Sequence, residues 1–230
     1  MPTKKKEPKI TIVKDGPFLV TGGLHLSKEV IEIDKDGIPS KWKNLGKIPV
    51  KCDYALCRCG ESKNKPFCDG SHSTCGFDGT EVAGLKTDPN DVSKINGPDL
   101  ILRDEGSLCV GAGFCHRYGG TWNLTKASDI PRAKKEAIKE ACNCPGGRLT
   151  AIDKKTKYAI ERDIKPELSI TYHPEGEISG PIWVKGGVPI ESSDGKTYQE
   201  KNRRCLCRCG KSFNKPFCDG THISIGFDDS

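Results

Sequence analysis

The sequence is short of the apolar residues that build a large core. Hydrophobic side chains make up 34% of the 230 residues, and charged side chains make up 30%. Modules with so little apolar material usually need metals or disulfides as additional staples. No apolar run approaches the length of a membrane-spanning helix. We therefore expect small stapled modules that do not interact with a membrane.

The chain also lacks the usual marks of secretion and of catalysis. Its first residues, MPTKKKEPK, run straight into ITIVKDGPF without the apolar segment of a signal peptide. There is no Walker A or GxGxxG sequence, the acidic residues are dispersed among lysines, and His25 and His173 have no partner pattern. These absences predict a cytoplasmic protein that is not an enzyme. Residues 1–9 are expected to form a disordered tail.

A concentrated basic surface is absent as well. The net charge is +6, but apart from the first lysines the basic residues are scattered along the chain. A nucleic-acid-binding protein would gather them into a stripe with aromatic residues or a reading helix. We therefore expect a solvated, lysine-rich surface and no nucleic-acid partner.

Cysteine, by contrast, is abundant. In a reducing cytosol, 13 clustered cysteines indicate metal ligands rather than disulfides. Residues 57–72 read CRCGESKNKPFCDGSH and residues 207–222 read CRCGKSFNKPFCDGTH, so each copy has the spacing C-x-C-x8-C-x3-H. The candidate ligands are Cys57, Cys59, Cys68 and His72 at the first outer site, and Cys207, Cys209, Cys218 and His222 at the second outer site.

The ligand spacing favours iron over zinc without deciding between them. Three thiolates and one imidazole can hold a zinc ion or a two-iron cluster. Zinc fingers favour separated C-x2–4-C and H-x3–5-H pairs, whereas here one pair is C-x-C and the other mixes cysteine with histidine. Cys68 and His72 are four residues apart, which places both on one face of a helical turn. Asp69-Gly70 suits a tight turn that leads into this helical turn.

A different cysteine cluster lies between the two copies. Its members are Cys109, Cys115, Cys142 and Cys144, in SLCVGAGFCHRYGG and EACNCPGGRL. A cysteine followed by proline closes the cluster-binding run of bacterial ferredoxins, although the usual C-x2-C-x2-C is missing. An iron–sulfur cluster, a zinc ion or a set of reactive thiols would fit these residues, and His116 is an alternative ligand. The remaining Cys52, Cys75 and Cys205 are expected to be small buried residues.

The motifs divide the chain into three blocks. We place the domains at 10–86, 98–163 and 166–230, with turn-rich boundaries at 87–99 and 163–167. VTGGLHL at 20–26 resembles ISGPIWV at 178–184, an offset of 158 against 150 for the cysteines. The first copy should therefore carry about eight extra residues, within VIEIDKDGIPSKWKNLG. The outer blocks alternate apolar and polar residues, which predicts short strands.

The middle block has one clear helix. Ser128 or Asp129 can cap it, Pro131 sits in its first turn, and RAKKEAIKEAC continues to a stop at CNCPGG. The strand-like segments LILRD and LTAIDKKTKYAI flank the cysteines. The sequence therefore predicts a small α+β module between two strand-rich ones, and an α+β, strand-rich fold for the whole chain.

The repeated motif resembles the CDGSH iron–sulfur family, whose pattern is C-x-C-x2-[ST]-x3-P-x-C-D-G-[SAT]-H. Both copies match at every position. The resemblance implies a [2Fe–2S] cluster at each outer site, on the eight ligands named above. It also implies a strand-rich β-cap beside each cluster-binding segment. Family members with two motifs resemble an internal pseudo-dimer, so we expect a monomer with internal pseudo-twofold symmetry.

The middle block resembles the divergent single-cluster ferredoxin domain, which pairs C-x5-C with a later C-P. The resemblance covers roughly residues 98–155 and carries over to Cys109, Cys115 and Cys144. Cys142 departs from the simplest three-cysteine form and could supply a fourth ligand. The resemblance therefore implies a [4Fe–4S] cluster on all four cysteines, or a [3Fe–4S] cluster on three.

These observations predict an electron-transfer protein with redox-protein partners. One neutral histidine in place of a thiolate raises a cluster's potential, and its second ring nitrogen can carry a proton. The outer clusters should therefore be proton-coupled and acid-labile. The alternatives are a cluster carrier or redox sensor that serves apo-acceptors, and a zinc-stabilised interaction module.

Overall fold

The computed structural model describes residues 7–174 and 178–229. These residues form an α+β, strand-rich fold. Most of the predicted tail, residues 1–6, lies outside the described residues. The predicted end of the tail at residue 9 was wrong, because Lys9 already begins the first strand. The Lys9 Nζ atom lies 2.6 Å from Glu191 Oε2. No helix in 7–174 or 178–229 combines the length and apolar character needed to cross a bilayer.

Two groups of strands lie on either side of a middle segment that contains both strands and helices. The strands are β1 (Lys9–Ile12), β2 (Phe18–Thr21), β3 (Leu26–Ile33), β4 (Pro39–Ile48), β5 (Tyr54–Leu56), β6 (Val92–Asn96), β7 (Leu100–Glu105), β8 (Leu149–Asp153), β9 (Glu167–Tyr172), β10 (Ser179–Lys185), β11 (Ile190–Glu191) and β12 (Arg203–Leu206). The helices are α1 (Thr121–Lys126), α2 (Pro131–Asn143) and α3 (Thr221–Ser224).

Both outer sheets contain strands from both halves of the chain. One sheet has the order β11-β1-β2-β5 and the other has the order β12-β10-β9-β3-β4. Strand β11 of the second half joins β1 in parallel, with Ile190 opposite Ile10. Strand β3 of the first half joins β9 in parallel, with Leu26 opposite Leu168. The second half therefore contributes β11 to the first sheet, and the first half contributes β3, with β4 at the edge, to the second sheet.

The pairing corrects the expected alignment of the two copies. Val20 lies opposite Tyr54, and Val184 lies opposite Arg204, which is the residue 150 positions after Tyr54. VTGGLHL at 20–26 therefore corresponds to VKGGVPI at 184–190, an offset of 164, and not to ISGPIWV. Against the cysteine offset of 150, the first copy is longer by 14 residues, more than the predicted eight. The alternation of a strand has period two, so a shift of six residues preserves the apolar pattern.

The main hydrophobic core is shared by the two halves. Its fully buried members come from both exchanged sheets and include Ile10, Phe18, Leu26, Leu56, Leu168, Ile182 and Leu206. Neither half closes a core of its own, because each sheet borrows a strand from the other half.

The middle module is a three-stranded antiparallel sheet, β6-β7-β8, packed against α1 and α2. Strand β6 lies inside the segment that was predicted as the 87–99 boundary. The predicted cap of α2 was wrong: Ile130 precedes the helix and no side chain caps it. The Ser128 hydroxyl instead accepts hydrogen bonds from the backbone N–H groups of Asp99 and Leu100. Ser128 therefore holds the start of β7 rather than the helix.

The two halves also meet backbone to backbone beside the cysteine motifs. A Cβ atom placed on Gly60 would lie 2.6 Å from the carbonyl oxygen of Cys209, and one on Gly210 would lie 2.3 Å from the carbonyl oxygen of Cys59. Both glycines have positive φ angles, 84° and 74°. Only glycine satisfies the backbone angle and the close approach together.

We expect Gly60→Ala and Gly210→Ala to lower the thermal unfolding midpoint more than Gly37→Ala. Gly37 is the matched control, because its φ is +75° and an added Cβ would meet nothing within 4 Å. The control should lose only the left-handed backbone penalty of about 1–2 kcal/mol. Thermal denaturation measures the difference, and equal losses at the three positions would contradict a tight contact between the copies.

Candidate metal centres

The first outer site is built from two pairs of donors. Cys57 and Cys59 follow β5, and their Sγ atoms are 3.7 Å apart. Cys68 precedes the short 3-10 helix Ser71–Ser73, His72 lies within it, and Cys68 Sγ lies 3.3 Å from His72 Nδ1. The predicted helical turn therefore brings these two side chains together.

The second outer site repeats this geometry. Cys207 Sγ and Cys209 Sγ are 3.8 Å apart, and Cys218 Sγ lies 3.3 Å from His222 Nδ1. His222 lies in α3, the counterpart of the 3-10 helix at the first site. The structure thus brings together the predicted ligands of each outer site in the same two pairs.

Backbone hydrogen bonds and one aspartate side chain shape each motif. At the first site the Cys57 N–H donates to the Pro66 carbonyl at 2.8 Å, and the Cys68 N–H donates to the Ala55 carbonyl at 3.0 Å. Asp69 accepts from the backbone N–H groups of Lys63 and Ser71. The second site has the equivalent bonds, whose acceptors are the Pro216 and Cys205 carbonyls and the Asp219 carboxylate. The conformation is therefore encoded locally by the motif itself.

The donor set fits a two-iron cluster. Two ligands at about 2.3 Å from a tetrahedral metal lie about 3.8 Å apart, which matches the Cys–Cys pairs. Within 7–174 and 178–229, no group of three or more His, Cys, Asp or Glu side chains is placed to hold a single metal ion. Each site therefore offers two metal-binding pairs rather than one tetrahedral cage.

The two candidate histidine ligands differ in their surroundings. His222 is 2% exposed, whereas His72 is partly exposed. Burial is the main cause that lowers the pKa of His222 to about 3, so the ring is neutral, the form that binds a metal. His173 Nε2 lies 3.0 Å from His222 Nε2, on the side of the ring that faces away from Cys218.

His173 is a residue that sequence reasoning missed. It was interpreted as a histidine without a partner, yet it follows β9 and contacts a candidate ligand 49 residues away. Burial lowers the pKa of His173, so it too favours the neutral ring. No local signal marks this contact, because it depends on how β9 is placed beside α3.

In the middle module, three of the four candidate cysteines influence one another. The pKa of the Cys115 thiol is raised to about 12, chiefly by burial and also by the nearby Cys144 and Cys109. The pKa of Arg148 is raised chiefly by its hydrogen bonds to the Asp104 carboxylate and also by Cys109. Arg148 thus places a cation next to one of these sulfur atoms. The three thiols fit a larger cluster, whose irons bind one cysteine each, and the Arg148 cation lies beside them without being a ligand.

Cys142 has different neighbours. Its Sγ donates to the Ile160 carbonyl at 3.4 Å. Burial raises the pKa of its thiol, and the charged residues that act on it are Arg203, Glu161 and Arg162 rather than the other cysteines. His116, the alternative ligand, has its ring centroid 6.2 Å from that of Trp122.

The three remaining cysteines were only partly interpreted correctly. Cys205 is buried at 2% exposure, but Cys52 and Cys75 are exposed, so the prediction that they are small core residues was wrong. Cys52 lies in a bend before the first motif and Cys75 in a turn after it, and neither position is covered by the core. Cys205 packs in a cluster with Cys218, Val110 and Trp183. It therefore occupies the contact between the second outer site and the middle module.

The middle module lies against the second outer site. A Cβ atom on Gly220 would be 3.1 Å from the Cys109 carbonyl oxygen, and one on Gly111 would be 2.2 Å from Ile223 Cδ1. The Asn214 side-chain amide donates to the Ser107 carbonyl at 3.1 Å. Because Gly60 and Gly210 join the two outer motifs, the second outer site lies between the first outer site and the middle cysteines.

Comparison with known proteins identifies both kinds of segment. The family described as "Iron-binding zinc finger CDGSH type" matches residues 15–73 and 179–223. The family described as "Divergent 4Fe-4S mono-cluster" matches residues 95–154. No curated protein and no solved structure matched the chain. The chain is therefore an iron–sulfur protein with two domains of the CDGSH family and a divergent 4Fe–4S mono-cluster domain between them.

Proposed function

We propose that this protein transfers electrons through two [2Fe–2S] clusters and one [4Fe–4S] cluster. The observation that carries the proposal is the division of each outer donor set into two pairs. Cys57 and Cys59 would hold one iron of the first cluster, and Cys68 and His72 the other. The second site would use its equivalent pairs. Such clusters supply one-electron chemistry when bound.

For the middle cluster we propose Cys109, Cys115 and Cys144 as ligands. The mutual influence of their thiols supports this set, and the cation of Arg148 would offset part of the cluster's negative charge. Cys142 is the candidate fourth ligand, but its contact with Ile160 favours a structural role. A cluster with three cysteine ligands would be [3Fe–4S], or [4Fe–4S] with a non-cysteine ligand at the fourth iron.

The packing supports a linear order of redox sites. The middle cysteines contact the second outer motif, and the second motif contacts the first. An electron could then pass between the middle module and the exposed first outer site by way of the second. We propose redox proteins as partners of a monomer whose strand exchange makes it an internal pseudo-dimer. We propose no nucleic-acid partner, no membrane partner, no enzymatic activity and a cytoplasmic location.

A second candidate function is the donation of a [2Fe–2S] cluster to an apo-acceptor. The partial exposure of Cys68 and His72 favours it, because an acceptor thiol could approach these ligands. The second site is closed on this side by His173. We therefore propose that donation, acid loss and any proton uptake on reduction take place at the first outer site. A redox sensor would use the same partly exposed ligands, Cys68 and His72.

We expect the purified protein to contain about eight iron and eight sulfide per chain, the content of the three proposed clusters. Cys142→Ser should retain this content, because its thiol is directed at a carbonyl. Cys115→Ser should lose about four of each, because it removes a proposed ligand. Iron and sulfide quantitation with EPR of the reduced protein measures both variants. Zinc in place of iron would contradict the whole proposal, and loss of four iron from Cys142→Ser would make Cys142 a ligand.

The linear order predicts magnetic coupling between the reduced middle and second outer clusters. Cys207→Ala should abolish this coupling, because it removes the cluster that contacts the middle module. Cys57→Ala is the matched control and should leave the coupling unchanged. EPR spectra of the fully reduced proteins report it as broadening or splitting. If Cys57→Ala abolishes the coupling and Cys207→Ala does not, the order of the sites is the reverse of the proposed one.

We expect His72→Cys to protect one cluster against acid and against transfer. In the parent protein one outer cluster should be lost sooner, because His72 is open to water and His222 is buried. His72→Cys should slow this early loss, whereas His222→Cys should leave it unchanged. Visible absorbance on acidification and on mixing with apo-ferredoxin measures the two processes. Loss of both outer clusters at one rate would contradict the assignment.

A further inference from the structure

Each outer motif places a buried arginine between its first two cysteines. Arg58 and Arg208 are both 1% exposed, and each follows a ligand and precedes another. A buried cation next to a cluster acts strongly on it, because charges interact more strongly away from water. The way each arginine is neutralised should therefore affect the neighbouring cluster.

At the second outer site the arginine is paired with a carboxylate. Arg208 Nη1 forms an ion pair with Asp229. Its Nε donates to the Gly180 carbonyl at 3.0 Å. Asp229 is held in place by the Ser179 hydroxyl at 2.7 Å and the Tyr172 hydroxyl at 3.2 Å. The charge of Arg208 is thus largely compensated inside the protein.

At the first outer site the arginine pairs with no carboxylate of residues 7–174 or 178–229. Arg58 donates to the carbonyls of Val13 and Gly79 and lies over the rings of Phe18 and Phe77. Among the ion pairs that the described residues form, none involves Arg58. Carbonyl dipoles and ring faces solvate this cation but do not neutralise it.

Nearby carboxylates act on Arg58 only from a longer range. Glu81 and Asp15 both influence it electrostatically, and so does the Cys207 thiol of the second outer site. Glu81 accepts hydrogen bonds from Tyr198 and from the backbone of Ser193, however, and Asp15 accepts one from the Gly79 N–H. Neither carboxylate is therefore directed at the guanidinium.

One sequence difference between the copies causes this contrast. GFDG at 76–79 corresponds to GFDD at 226–229, with the same offset of 150 as the ligands. Phe77 and Phe227 both lie beside their arginines, but glycine occupies position 79 where aspartate occupies position 229. The first site therefore lacks the carboxylate that pairs with Arg208.

We propose that the first outer cluster has the higher reduction potential, because Arg58 is uncompensated and Arg208 is neutralised by Asp229. The inference rests on the proposed [2Fe–2S] clusters. Reduction adds one negative charge to a cluster, and an uncompensated buried cation stabilises that state. Burial of the second site and the neighbouring middle cluster act in the same direction, because both disfavour added negative charge. Electrons would therefore come to rest on the exposed cluster, where a partner can collect them.

The test is a redox titration of the purified protein, followed by visible absorption and EPR. The parent protein should show two midpoints for its outer clusters. Asp229→Asn keeps the shape and hydrogen-bonding atoms of the side chain but removes its charge, so the lower midpoint should rise and the higher one should stay. A tenfold change in the ratio of reduced to oxidised second cluster corresponds to 59 mV. Asp36→Asn is the matched control, since it removes an exposed carboxylate from the β3–β4 turn.

Arg58→Gln provides the reciprocal measurement. It should lower the higher midpoint, and the lower one too, because Cys207 of the second outer site also acts on Arg58. A higher midpoint that does not fall in this variant would contradict the inference even if Asp229→Asn loses its cluster. His72→Cys identifies the first cluster, because a thiolate in place of imidazole lowers the potential of that cluster alone. A single shared midpoint in the parent, or a shift of the higher midpoint alone in Asp229→Asn, would overturn the inference. A protein without reducible iron would instead refute the proposed function.

Discussion

The exchange of β3 and β11 between the two halves is the constraint on which the outer sites depend. Each sheet is complete only with a strand from the other half, and the shared core follows from that exchange. The two cysteine motifs are thereby held back to back at Gly60 and Gly210. Since neither half closes a core alone, the distance between the outer sites is set by the fold rather than by a separable interface.

The sequence predicted best what is encoded locally. The ligand pairs depend on turns inside one sixteen-residue motif, where Asp69 and Ser62 bind backbone groups a few residues away. Helix α2 was also recognised from its composition, although its cap was not, because Ser128 is used by β7 instead. The alignment of the upstream strands was wrong, because a strand's period of two does not define its register. Backbone pairing was needed to match VTGGLHL with VKGGVPI.

What the sequence could not predict are contacts between distant segments. His173 is a lone histidine until β9 and α3 are placed together. The difference between Gly79 and Asp229 is visible in the aligned letters, but it has no meaning until Asp229 is seen at Arg208. Cys142 fits a cluster motif by spacing, and only its contact with Ile160 separates it from the other thiols. In each case the type of residue was apparent and its neighbour was not.

The insertion between the two copies explains why two similar sites have different surroundings. The middle module is anchored on the second copy by Arg203 of β12, which donates to the Ala141 and Leu149 carbonyls and pairs with Glu161. The hairpin that lengthens the first copy holds the module from the other side, through the Trp42 indole and the Asn143 carbonyl.

Both attachments cover the second site and leave the first open. A duplication alone would yield two equivalent sites, so the difference between them arises from what is packed around each motif. The same packing that buries one site places the third set of ligands beside it. A row of three candidate ligand sets with one exposed end is therefore a consequence of where the middle module lies, and it requires no change in the ligands themselves.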